Sequence, residues 1–142
     1  IAPELISSKN DVTSVIPSKK SISDIKLGSK ILDELSKFDI GQSIVVQDGI
    51  VLGIEGVEGT DELIKRTGVM KKNSNVKPVL IKKAKINQST KADLPTIGID
   101  TIKNLYEYGF AGIAIEQNKT IILNKKETLK LSEESHIFID VI

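Results

Sequence analysis

Carboxylates, glycines and a proline gather at two places where this chain must turn. One is Glu55-Gly56-Val57-Glu58-Gly59-Thr60-Asp61-Glu62 and the other is Lys91-Ala92-Asp93-Leu94-Pro95-Thr96-Ile97-Gly98. Glycine lets backbone approach a ligand closely, and proline sets the path into a following helix. Acids at such turns are candidates for holding a metal ion or activating water. The first stretch suits Mg²⁺, which takes one or two carboxylates and completes its shell with waters and substrate phosphate oxygens. Thr60, at the expected start of a helix, can offer its hydroxyl and amide to a phosphate. In the competing reading these acids only complement a helix dipole and cap free N–H groups, each contributing under ~1 kcal/mol.

Between the two clusters runs Lys82-Lys83-Ala84-Lys85-Ile86-Asn87-Gln88-Ser89-Thr90-Lys91, a polar, lysine-rich loop that follows an apolar strand. Its lysines could neutralise a diphosphate while Asn87 and Gln88 orient it; a plain solvated loop is the alternative. Asp100 and Thr101 are better placed than Asp93 to cap the next helix. Asp93 is therefore the carboxylate hardest to explain structurally. His136 is the only histidine and reads as the start of a closing strand, so a histidine triad or zinc site is excluded. No P-loop or GxGxxG pattern occurs.

The elements that must position these residues read as an α/β domain, a mixed sheet with β-hairpins. Residues 1–20, with Pro3 and Pro17, show no sustained period and read as an arm or linker from an upstream domain. A helix is expected over 21–37, capped by Ser21 or Ser23, with Ile25, Ile31, Leu32 and Leu35 near one face. Residues 43–55 read as a hairpin about Asp48-Gly49, because both turn positions favour positive φ. A helix over about 60–67 and a strand over 78–81 follow. The second half repeats the order: helix 100–108, hairpin 112–116 with 120–123, helix 124–134 and strand 136–141. Asn124 and Glu127 form an expected capping box. Sliding residue 27 onto 97 superposes Leu27-Gly28 on Ile97-Gly98, Leu35 on Leu105 and Gln47 on Gln117. The halves thus suggest a pseudo-duplicated helix–hairpin–helix–strand unit.

Composition bounds the function classes. A chain of 142 residues suits one compact domain, here taken as 21–142 plus the arm, burying roughly two-thirds of its unfolded surface. A net charge of +1 argues against a nucleic-acid binder. The absence of cysteine excludes disulfides, thiolate metal sites and cysteine nucleophiles, and fits a reducing compartment. No apolar run approaches the ~20 residues that span a bilayer, and no secretory signal is present. The opening on Ile1 suggests a piece of a longer chain.

Taken together, these segments resemble the carboxy-terminal domain of LpxI-type UDP-2,3-diacylglucosamine pyrophosphatases. The resemblance is carried by Asp24-Ile25-x-x-Gly28, Asp39-Ile40-Gly41-Gln42, Val45-Val46-x-Asp48-Gly49, Glu55-Gly56-x-Glu58-Gly59-Thr60-Asp61, Asp93-Leu94-Pro95-Thr96-Ile97-Gly98 and Gly109-x-Ala111-Gly112. It implies Mg²⁺-dependent hydrolysis of UDP-2,3-diacylglucosamine to UMP and 2,3-diacylglucosamine 1-phosphate (lipid X) in lipid A biosynthesis. It also implies a Rossmann-like upstream domain, with the lipid held between the two domains. Asp93 would be the essential aspartate, acting as metal ligand or water-orienting group. Asp61 would be a second metal ligand, with Glu58 as a further supporting acid. Gln42, Thr60, Lys83, Gln88, Lys91 and Thr96 would contact substrate. A cytoplasmic location follows, with peripheral contact on the inner membrane as an extension. An apolar patch left bare by the missing domain would favour a homodimer. Three departures stand out: Ile86 replaces the usual proline, Ser89 an aspartate and Lys91 an arginine. Lysine keeps the charge and loses the planar fork. The alternative from another class is a non-catalytic module that binds a nucleotide or lipid phosphate.

Overall fold

Val79, Leu80 and Ile81 follow one another without polar alternation, as in a strand buried on both faces. In the computed structural model, which describes residues 3–11, 13–85 and 94–142, they belong to β3 (Val79–Lys82), the centre of a five-stranded sheet. β3 runs parallel to β5 (Gly112–Ile115), and β5 runs parallel to β7 (Phe138–Val141). On its other side β3 pairs antiparallel with β1 (Ser43–Gln47), which pairs antiparallel with β2 (Ile50–Ile54). A second, two-stranded parallel sheet joins β4 (Thr96–Ile97) to β6 (Ile121–Ile122). The mixed α/β sheet expected from the sequence is what forms.

Strand alternation divides the core between the two faces. Ile44, Val46, Val79 and Ile81 point to α1 (Lys19–Leu35) and meet its Ile25 and Leu32. Val45, Leu80 and Ile113 point the other way, to Leu63 and Ile64 of α2 (Thr60–Met70) and Ile102 and Leu105 of α3 (Ile99–Glu107). α4 (Lys125–Glu134) shares this second face. No helix among the described residues is long and apolar enough to cross a membrane.

The β1–β2 hairpin turns at Asp48 and Gly49, with φ of 49° and 80°. Asp24 of α1, only 2% exposed, accepts both turn N–H groups at 2.8 Å. The helix thereby fixes the turn through a buried carboxylate.

Several local expectations are corrected. α1 begins two residues early because Ser18 caps it, its Oγ accepting the Ser21 N–H at 3.1 Å, and a short 3₁₀ turn replaces the expected last residues. The second hairpin does not form. Both edges of β5 are taken by β3 and β7, so β6 leaves the main sheet and pairs with β4. Asn124 caps α4 from a left-handed conformation, φ 46°, with no side-chain hydrogen bond, so the capping box with Glu127 is not made. At α3 the Thr101 hydroxyl accepts the Gly98 N–H at 3.1 Å, as its position suggested. The closing strand starts at Phe138, because His136 adopts a φ of 56° that strands do not use.

Both sheet edges are covered in specific ways. On β2 the register skips Leu52, a bulge, and Arg66 Nη2 donates to the Ile54 carbonyl at 3.3 Å. Such features protect an edge strand from further pairing. Near β7, Lys9 Nζ donates to the Val141 carbonyl at 2.7 Å. Ser7 is fully buried and its N–H reaches the Thr120 carbonyl at 2.8 Å. Lys125 Nζ binds the Ile6 carbonyl at 2.8 Å and Asp11 at 2.9 Å. The leading residues therefore brace β6 and the start of α4.

Candidate functional site

β3, β4 and β6 end, and α2, α3 and α4 begin, on one side of the molecule. Between them lies an open pocket of about 670 Å³. Crevices outside the carboxyl ends of strands are the usual binding places of open α/β sheets. The first residues of α2 (Thr60 and Asp61) and of α3 (Ile99, Asp100 and Thr101) line it, as does Asn124 before α4. The free N–H groups and dipoles at these helix starts favour anionic ligands.

Glu55, at the exit of β2, anchors the pocket floor. One carboxylate oxygen accepts the Gln42 N–H at 2.8 Å and the other accepts the Thr60 hydroxyl at 2.8 Å. The Thr60 oxygen also lies 3.0 Å from Ser43 Oγ. One acid thus ties the entry of β1 to the start of α2. Gly41 makes this approach feasible, since a Cβ there would sit 2.2 Å from the Glu55 carbonyl oxygen. Gly41→Ala is expected to destabilise the fold by about 1–3 kcal/mol, the usual cost of overpacking. Urea denaturation would measure it; an unchanged midpoint would mean the segment moves aside freely.

Lys82 enters the same pocket from the end of β3. It is only 9% exposed, and its Nζ donates to the Thr96 carbonyl at 3.0 Å. Burial pulls its pKa below the ordinary lysine value, while the charges of Glu55 and Asp61 push it back up.

The structure brings together four residues expected at the site: Gln42, Thr60, Asp61 and Thr96. Two others stand elsewhere. Glu58 forms an ion pair with Arg66 at 2.6 Å, and that hydrogen bond holds its carboxyl below the usual range. It braces α2 against the β2 edge and does not line the pocket. Lys83 points to the opposite face, donating to Ser29 Oγ at 2.9 Å and Asp33 at 2.7 Å on α1. Asp93, Gln88 and Lys91, with the departures Ile86 and Ser89, lie outside the described residues. Sequence reading included Glu55 in the carboxylate-rich turn and Lys82 in the lysine-rich stretch, but singled out neither as an individual site residue. The two-residue period of a strand was the available signal, because Lys82 shares the face of Leu80 and Lys83 that of Ile81.

These features define an α/β domain that presents acids, Lys82 and helix starts at the carboxyl edge of its strands. The sequence model of the LpxI C-terminal domain matches residues 8–140, and the chain belongs to that family. It is similar to the UDP-2,3-diacylglucosamine pyrophosphatase LpxI of Caulobacter vibrioides, with 31% identity over 130 residues. The match takes in 88% of this chain and 46% of that relative, so the chain spans about half the relative's length.

Proposed function

We propose that this chain is the carboxy-terminal part of a hydrolase that cleaves the pyrophosphate of UDP-2,3-diacylglucosamine. The products would be UMP and 2,3-diacylglucosamine 1-phosphate, a step of lipid A biosynthesis. The observation that carries this reading is the pocket of helix starts at the strand ends, in a chain of the LpxI C-terminal domain family. Water would attack phosphorus, forming one P–O bond as the bridging P–O bond breaks. An upstream Rossmann-like domain would close the pocket over the lipid, leaving residues 1–142 alone inactive or nearly so. The protein would work in the cytoplasm, reaching its substrate at the inner membrane.

The pocket's chemistry fits Mg²⁺. Among the described residues, Glu55, Asp61 and Asp100 oppose Lys82 there, three carboxylates against one ammonium, a formal −2. An anionic diphosphate entering such a site needs added positive charge. The donors are hard oxygens, as Mg²⁺ prefers. Among the described residues no cluster of three or more acids or histidines could hold a metal by itself. Mg²⁺ does not require one, since waters and phosphate oxygens complete its shell. Asp61 is the described acid that would hold the ion, with Asp93 as second ligand or water-orienting group. Bound there, Mg²⁺ would neutralise charge on the diphosphate and lower the pKa of a bound water. Thr60 and the first amides of α2 and α3 would face phosphate oxygens, while Gln42 and Thr96 orient the ligand at the rim.

The test is UMP release from UDP-2,3-diacylglucosamine by the intact protein, before and after chelation. Release should vanish with chelator and return with Mg²⁺. Release that survives chelation would remove the metal from the reading. A folded protein that binds UMP without turnover would establish the non-catalytic binding module instead.

A further inference from the structure

A lysine ammonium carries three N–H donors and no acceptor. At Lys82, 9% exposed, the only hydrogen bond among the described residues goes to the Thr96 carbonyl, at 3.0 Å. Two donors remain on a buried charge, and such a charge is costly unless it is paired and hydrogen-bonded. Its acidic neighbours do not supply the missing partners. Glu55 is engaged with the Gln42 amide and the Thr60 hydroxyl, and neither it nor Asp61 lies within 4.0 Å of the ammonium as an ion pair. Lys82 instead lines the pocket, together with the first residues of α2 and α3.

The contrast with the next residue is informative. Lys83 has its own set of partners, Ser29 and Asp33, on the far face of the sheet. Its charge is satisfied within the fold. Lys82 is held in place by Thr96, and among the described residues its remaining donors have no further partner. An ammonium in that state is preorganised for an oxyanion, because it is largely buried and its position is fixed before the ligand arrives.

We propose that Lys82 is the anion clamp of this pocket, donating hydrogen bonds from Nζ to oxygens of the substrate's pyrophosphate while the Thr96 carbonyl fixes its position. This rests on the reading of the pocket as the pyrophosphate site. Lys82, and not Lys83, then supplies the lysine charge that the 82–91 segment promised. Its role is to bind and orient the diphosphate; the attacking water is oriented by other groups.

The experiment is calorimetric titration of the intact protein with inorganic pyrophosphate and with UMP, in Mg²⁺ buffer. Wild type is compared with Lys82→Met and Lys82→Arg, and each variant's thermal melting is recorded. Lys82→Met is expected to weaken pyrophosphate binding by about 10- to 100-fold, the range for a hydrogen bond to a charged group. Lys82→Arg should recover a large part of that loss, since it restores the charge. A folded Lys82→Met protein with wild-type affinity would overturn the inference and leave Lys82 as a structural residue. A second readout is the Nζ resonance of Lys82 in ¹⁵N-labelled wild type, assigned by its loss in Lys82→Arg. It should shift on addition of pyrophosphate and stay in place on addition of an equal concentration of chloride. No shift under saturating pyrophosphate would sink the proposal even if Lys82→Met does not fold. Wild type that binds neither pyrophosphate nor UMP would overturn the pocket's assignment itself. Binding indifferent to Lys82 would overturn only the clamp.

Discussion

Asp93→Ala is expected to lower the rate of UMP release by about 10²–10⁴-fold, the range lost with a positioned acid–base group. The expectation joins two arguments. The resemblance to LpxI-type enzymes implies that the aspartate of the Asp93-Leu94-Pro95-Thr96-Ile97-Gly98 motif is essential. Chain geometry then limits where it can act. Thr96 lines the pocket, and three residues of extended chain span at most about 11 Å. The effect should fall on kcat, with the affinity for UMP largely kept, because the binding groups of the pocket are separate side chains. Steady-state kinetics on the intact protein at saturating Mg²⁺, with circular dichroism as the check on folding, would measure it. Activity within tenfold of wild type would remove Asp93 from the chemistry. A parallel loss of UMP binding would instead assign it to the binding machinery.

Asp24→Ala should cost about 3 kcal/mol of stability, an estimate from two hydrogen bonds to a charged acceptor at 1.5–3 kcal/mol each, discounted for non-additivity. Asp24 is buried, and its two oxygens receive the N–H groups of Asp48 and Gly49 at 2.8 Å. Alanine leaves both donors without their partner in a turn whose two central residues already have positive φ. The exposed Lys20–Asp48 ion pair at 3.2 Å cannot make up the difference, as surface pairs contribute little. In urea the midpoint should fall by roughly 1.5 M for a slope near 2 kcal/mol/M. Asp24→Asn retains one acceptor and should lose about half as much. Equal stability of Asp24→Ala and wild type would mean water replaces the carboxylate at the turn.

The same residue shows how local and long-range information divide in this protein. Asp48-Gly49 announces a hairpin in the sequence, because the need for positive φ is written into two adjacent residues. Asp24 appears only as a family motif, and its link to a turn 24 residues away emerges once α1 packs on the sheet. The apolar runs at 44–46 and 79–81 likewise reveal buried strands locally. Which strand lies beside which is not local. The segment 120–123 looks like a hairpin partner for 112–116, yet both edges of β5 are already filled by parallel neighbours.

The candidate site divides along the same line. Gln42, Thr60, Asp61 and Thr96 were recognisable from residue type, turn chemistry and family motif, and the fold does collect them around one pocket. Glu58 and Lys83 share composition and neighbourhood with the residues that enter it, and still face elsewhere. Arg66, eight residues further along the chain, captures Glu58, and one step along β3 sends Lys83 to α1. Residue types, turns and family membership are local properties, carried by side-chain chemistry and short-range backbone preference. Which of two adjacent lysines carries its charge into the pocket depends on the packing of β3 between its two layers of helices, because strand alternation has direction only relative to its neighbours.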